Sequence, residues 1–201
     1  MAKLTFVYGT MGGAKTAQAL ITKYNHEEHG RKVWLIKPSA DTRDGDGMLK
    51  SRLGLESRVV MIDEEDNLFD LFDKLSHRPD IVIADEGNLF TAEHINQMRQ
   101  IVDKANTNVL VYGLRTDFQT KLFPSSKRLM ELADEIKKID NLCACGREAE
   151  ANARFDKDGK IITTGEQIFI GGNESYHSVC FKCYRDLLRR RLDGIDDRYY
   201  H

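Results

Sequence analysis

Apolar positions along the chain follow two alternating periods. Leu4 to Tyr8, Val33 to Lys37, Ile81 to Ala84 and Val109 to Leu114 are short β-branched or apolar runs bounded by Gly, Pro or charge, the mark of buried strands. Between them the spacing becomes helical. Lys15 to His29 runs up to Gly30, a natural helix stop. Asn67 to Leu75 carries Leu68, Phe69, Leu71, Phe72 and Leu75, and Thr91 to Ala105 carries Ile95, Met98, Ile101 and Val102. Ser125 and Ser126 are placed to cap a helix through Leu132. Strands alternating with helices predict βαβ units, hence an α/β fold with a mostly parallel sheet flanked by helices.

The pattern changes near Asp140. Beyond it come Cys143-Ala144-Cys145-Gly146, a polar stretch with Gly159, Gly165, Gly171 and Gly172, then Cys180 and Cys183 and a basic helical tail. The predicted division is therefore an α/β part over 1–139 and a small module over 140–201 that needs a staple in place of a core. A length of 201 residues suits one sizeable core with such an addition. A net charge of −2 gives no reason to expect nucleic acid as a partner. No apolar run approaches the ~18 residues of a membrane span. Met1 to Tyr8 is too short and polar for a signal peptide and reads as the first strand, so a cytoplasmic protein with reduced thiols is expected.

Gly9-Thr10-Met11-Gly12-Gly13-Ala14-Lys15-Thr16 lies between the first strand and the first helix. A phosphate chain needs converging backbone N–H groups, a lysine on the β/γ oxygens and a hydroxyl for Mg²⁺, and Gly9, Lys15 and Thr16 stand where G-x-x-x-x-G-K-[ST] needs them. The bland reading is a glycine-rich turn beside a surface lysine. Ala14 replaces the usual glycine. If that position requires positive φ, alanine costs roughly 1–2 kcal/mol, enough to weaken nucleotide binding about tenfold.

Ile81-Val82-Ile83-Ala84 ends in Asp85-Glu86. In a phosphate-loop protein that strand end carries the acid supporting Mg²⁺, here Asp85, and Glu86 is placed to act as base toward a hydroxyl nucleophile. Alone, the pair reads equally as a solvated strand end.

With these residues assembled, the chain resembles the type II thymidine kinases nearly end to end. Asp41-Thr42-Arg43 looks like the family's DxR segment near Mg²⁺ and the phosphates, and Ser51-Arg52-Leu53-Gly54-Leu55 is similar to a bacterial-branch signature. Asp85-Glu86-Gly87 matches a DE-x-Q-F motif whose glutamate is the base, with Asn88 and Leu89 departing from it. Gly113 to Phe118 is close to G-L-x-T-D-F, and the resemblance assigns Leu114, Phe118 and Phe123 to a thymine pocket floored by Met11. Ile170 to Tyr176 resembles the lasso loop that folds over the nucleoside, which brings in Phe169, Ile170, Gly171, Gly172 and Tyr176. A phosphate-loop NTPase-like fold with a zinc-binding lasso module and a homotetramer are further implications.

Cys143-x-Cys145 and Cys180-x-x-Cys183 form a tetrathiolate spacing suited to structural Zn²⁺. Disulfides or inert thiols are the alternatives. His177 is a further candidate ligand, and Arg189-Arg190-Arg191 reads as a solvated helix face. The expected reaction moves the γ-phosphate of ATP to the 5′-hydroxyl of thymidine, with deoxyuridine as a second acceptor. Thr16, Asp85 and Asp41 would hold Mg²⁺, Lys15 and Arg43 the phosphates, and Glu86 would take the proton. The rival readings are a nucleotide-binding relative without turnover, suggested by Ala14 and Asn88, and a zinc ribbon that binds nucleic acid.

Overall fold

A computed structural model describes residues 1–43, 45, 47–168 and 175–194. In chain order the elements are β1 (Leu4–Tyr8), α1 (Lys15–Glu28), β2 (Val33–Pro38), β3 (Met48–Lys50), β4 (Glu56–Arg58), β5 (Val60–Ile62), α2 (Leu68–Asp73) and β6 (Ile81–Ala84). A 3₁₀ turn at Gly87–Leu89 follows, then α3 (Ala92–Ala105), β7 (Asn108–Gly113), α4 (Pro124–Leu132), β8 (Glu135–Lys138), β9 (Ala151–Arg154), β10 (Tyr176–Val179) and α5 (Phe181–Leu192).

The main sheet runs β5-β2-β6-β7-β1-β8, and every neighbouring pair in it is parallel. Successive strand residues point to opposite faces, and the strands are apolar on both. Leu4, Phe6, Val82, Ala84, Val109 and Val111 pack toward α2, α3 and α4. Val7, Leu35, Ile81, Ile83 and Tyr112 pack toward Ala19 and Leu20 of α1. The sheet therefore reads as continuous apolar runs, which is why its central strands were visible in the sequence. A third apolar cluster gathers Cys143, Ala151, Ala153, Phe155, Ile161, Val179, Tyr184 and Leu187. Among the described residues no helix is long and apolar enough to cross a membrane.

Several expectations shift in detail. Ser125 and Ser126 do not cap α4. Phe123 occupies the N-cap without a side-chain bond and Pro124 opens the helix, where its missing N–H leaves no gap. Both serines are fully buried, and the Ser126 hydroxyl donates to the Leu114 carbonyl at 2.6 Å. The helix expected over Asn67 to Leu75 is shorter, with Asn67 as its cap accepting from the Asp70 N–H. Leu114 lies just past β7. β5 and β8, the two edge strands, were missed because β5 is only three residues long and β8 is mostly charged.

Candidate active site

The loops that leave the carboxyl ends of β1, β2, β6 and β7 converge, which is where open parallel sheets bind ligands. Gly9 leaves β1 with its N–H donating to the Gly113 carbonyl at 3.3 Å. A Cβ on Gly9 would stand 3.2 Å from Ile139 Cβ, and one on Gly13 3.1 Å from the Thr10 carbonyl, so the loop is tight at both. Gly12 has φ of 75° and Ala14 has φ of 55°, so the alanine does occupy a left-handed backbone position. No side chain caps α1. Its first-turn N–H groups and positive dipole end are left for an anion.

Thr16 Oγ1 donates to Asp85 Oδ2 at 2.7 Å, the hydroxyl-and-carboxylate pair that a phosphate-bound cation requires. Asp85 is 1% exposed. Burial, then the charge of Glu86, pushes its carboxyl up to about 7 against the opposing Thr16 bond. Burial also pulls Lys15 below its ordinary value, against Glu86 and Asp85, while its ammonium donates to the Thr10 carbonyl at 2.8 Å.

A row of alternating charge runs from the core into the cleft. Lys37, fully buried at the end of β2, lies 3.4 Å from Asp41, itself 1% exposed. Asp41 accepts from Arg43 Nε at 2.6 Å, and Arg43 in turn pairs with Glu86. Burial alone would raise Asp41, but the Arg43 bond and the Arg43 and Lys37 charges outweigh it and hold the carboxyl low. Burial likewise opposes the Arg43 charge, and Glu86 and Asp41 overcome it, keeping the guanidinium protonated. Glu86 is left-handed at φ 51°, ψ 43°. Such a backbone persists in a non-glycine residue only where its surroundings fix it. Here they are the close crossing of Gly87 and Gly113: a Cβ on Gly87 would meet Val111 Cγ1 at 2.5 Å. Asn88, the departure from the motif, accepts from the Leu114 N–H at 2.8 Å and joins the two strand ends.

One continuous cleft of about 280 Å³ joins this polar end to an apolar one lined by Met11, Leu114, Phe118, Phe123 and Tyr176. Arg154 stacks over the rings of Phe118 and Tyr176, 5.4 and 5.7 Å from their centroids. Phe169, Ile170, Gly171 and Gly172 lie outside the described residues. Asp117 supports the floor: it accepts from the Gln119 and Lys121 N–H groups and from Gln167 Nε2.

The four cysteines come together at the base of the β9–β10 ribbon. They are free thiols whose sulfur atoms all lie within 4.8 Å of one another, Cys145 and Cys180 at 3.6 Å. Four sulfurs at ~2.3 Å around a tetrahedral zinc stand ~3.8 Å apart, so the cluster is close to the spacing that a metal such as zinc needs. Burial pushes the Cys183 thiol up to about 12, with the other thiols adding to it. Cys180 opens α5 and its sulfur accepts from the Cys183 N–H, and such bonds override burial and bring it down to about 6. A cation removes that conflict by holding all four as thiolates. His177 is not part of the group; its ring packs against Phe155 at 5.2 Å.

Sequence reasoning missed the residues that position others. Lys37 had a signal, an ionisable side chain ending an apolar strand four residues before Asp41. Asn152, alone between alanines in β9, is 3% exposed and accepts from the Met11 N–H at 2.8 Å while donating to the Thr116 carbonyl at 3.2 Å. Arg52, quoted only within a signature, lines the cleft beside the phosphate loop.

A family model described as thymidine kinase matches residues 2–184. A curated thymidine kinase of Agrobacterium fabrum is 43% identical over 90% of this chain and 94% of its own length. Those of Shewanella oneidensis and Salmonella typhimurium are 39% and 38% identical, covering 94% and 100% of this chain and 99% and 100% of theirs.

Proposed function

The chain belongs to the thymidine kinase family and is a phosphotransferase that phosphorylates thymidine, and from that premise we propose how its own residues do so. ATP lies along the cleft with its phosphates on the 9–16 loop, where the uncapped start of α1 and Lys15 receive them. Thr16 and Asp85, with Asp41 nearby, would hold Mg²⁺, which supplies charge neutralisation of the phosphate oxygens when bound. Thymidine occupies the apolar end. Phe118 and Tyr176 wall the flat base, and Met11, Leu114 and Phe123 complete the enclosure.

Glu86 accepts the 5′-hydroxyl proton as the γ-phosphoryl group moves in line. Arg43 holds that carboxylate in place before substrate arrives and then meets the transferred charge. Positioning and fixed charge provide most of the acceleration, as is general for phosphoryl transfer. The observation that carries this reading is that the Thr16–Asp85 pair and the Lys37–Asp41–Arg43–Glu86 row end in one cleft whose other end is aromatic.

The cysteines hold a structural zinc at the boundary of the 140–201 module, tethering the segment around Cys143 to the start of α5. Placement in pyrimidine salvage in the cytoplasm, as a homotetramer, completes the reading. The names of the relatives give no support to a relative without turnover.

Purified protein should turn over ATP with thymidine, and more weakly with deoxyuridine, among a panel of nucleosides. Equal turnover of purine nucleosides would overturn the pocket assignment.

A further inference from the structure

The hairpin β3–β4 carries a tight loop at its tip. The Ser51 N–H donates to the Leu55 carbonyl at 2.8 Å, the Leu55 N–H donates to Ser51 Oγ at 3.1 Å, and Gly54 turns with φ of 82°. The hairpin is anchored at its base. Leu49, 1% exposed, packs with Ala19 and Leu20 of α1 and with Val59. The tip is therefore fixed relative to the helix whose N-terminus forms the phosphate cradle. Ser51, Arg52 and Leu53 line the same cleft as Gly12, Gly13 and Lys15.

Arg52 is exposed at that tip and is its one cation, and its guanidinium faces the phosphate loop. A Cβ added to Gly12 would lie 3.9 Å from Arg52 Nη1. Its charge also reaches Lys15, where, after burial and the effect of Arg43, it helps to hold the ammonium low. The other cations of the cleft are engaged: Arg43 with Asp41 and Glu86, Lys15 with the Thr10 carbonyl. Arg52 makes no hydrogen bond or ion pair among the described residues. An unpaired guanidinium held over an anion cradle is a donor fork matched to phosphate oxygens.

We infer that Arg52 is a phosphate-binding residue of the donor site, gripping the terminal phosphates of the nucleoside triphosphate from the side opposite Lys15. This rests on the placement of ATP proposed above and adds a second cationic wall to it. Arg43 then need not leave Glu86 to neutralise incoming ATP, because Arg52 meets the triphosphate first. An adenosine monophosphate, with no phosphate beyond the first, gains little from it.

The test compares Arg52→Gln and Arg52→Lys with the parent protein, measuring calorimetric binding of a non-hydrolysable ATP analogue, AMP and thymidine, with thermal melting as a check on folding. Arg52→Gln should weaken the triphosphate analogue by about tenfold or more, the scale of one charge-assisted contact. AMP, thymidine and melting temperature should stay at parent values, and Arg52→Lys should recover part of the loss. Unchanged triphosphate binding overturns the inference, as does an equal loss for all three ligands, which would mark a structural role. Lys15→Ala separates the two levels. If it abolishes triphosphate binding while Arg52→Gln has no effect, only the role of Arg52 falls. If neither variant matters, the placement of ATP on the loop falls with it.

Discussion

Ala14→Gly tests how a phosphate loop tolerates a methyl group where glycine is usual. Ala14 sits at φ 55°, ψ 24°, where the Cβ crowds the following carbonyl at a cost of about 1–2 kcal/mol. Glycine removes that strain but gives the unfolded chain more freedom, worth about 0.4–1 kcal/mol against folding. The difference leaves the variant roughly 0–1.5 kcal/mol more stable, a rise of about 0–6 °C in Tm at ~2–4 °C per kcal/mol for a chain of this size. The effect on nucleotide affinity follows from when the strain is incurred. The loop already holds the left-handed turn in the unliganded protein, with Gly13 N–H bonded to the Thr10 carbonyl at 3.2 Å. Binding therefore adds no new strain, and the tenfold weakening expected from the sequence alone should not occur. Differential scanning calorimetry of both free proteins, together with ATP KM values, checks the argument. A higher Tm with ATP KM changed by less than about twofold is expected, a twofold ratio being only ~0.4 kcal/mol. A tenfold lower KM at unchanged Tm would refute it and show that alanine is forced into the left-handed region only when ATP binds.

Three further outcomes are expected. Glu86→Gln should bind both substrates but lose roughly 10²-fold or more in kcat, the scale of a positioned base; an unchanged kcat would remove Glu86 from that role. Cys183→Ser should lose the zinc found by metal analysis of the parent and loosen the ribbon against proteolysis; a metal-free parent of equal stability and activity would refute the assignment. Asp85, raised to about 7 mainly by burial, should make the metal-free protein's stability fall as pH rises. The contribution is complete below the unfolded carboxyl value of ~4 and is lost as pH rises through the folded value. Thermal melts between pH 5 and 8 should therefore slope downward in the parent and be flatter in Asp85→Asn; parallel slopes would show that Asp85 is not the titrating group.

What was legible in the sequence was what backbone physics makes local. The apolar runs of β1, β2, β6 and β7 are buried on both faces and admit no other reading. The phosphate loop and the Asp85-Glu86 strand end follow directly from those strands. The cysteine spacing states its chemistry because four thiols in two close pairs have few other uses. Residues that act across the fold were not legible. Lys37 matters through Asp41 and Arg43, and nothing near position 37 announces a fully buried ammonium. Ser126 resembles a cap in sequence, yet Pro124 starts the helix and the hydroxyl turns inward to Leu114. Asn152 lies far along the chain from the Met11 that it supports, and only the packing of the β9–β10 ribbon against the phosphate loop brings them together.

That last contact links the two ends of the molecule. Met11, within the phosphate loop and at the edge of the apolar pocket, donates its N–H to Asn152 of β9. Its carbonyl accepts from Asn141, just ahead of the cysteines, and from Ser178 of β10, two residues before Cys180. Asn141 also donates to Thr10 Oγ1 at 3.0 Å. Three side chains of the cysteine-bearing module thus fix two consecutive loop residues, and each leaves a part-buried polar group without its partner if the module moves, at up to ~1–3 kcal/mol apiece. The proposed zinc would therefore act beyond its own module, setting the main-chain position of Met11 and hence the N–H groups that follow it toward the phosphates. A metal held by the four thiolates would stabilise the proposed floor under the base and the start of the anion cradle together, a reason for a site closed to chemistry to sit beside the cleft.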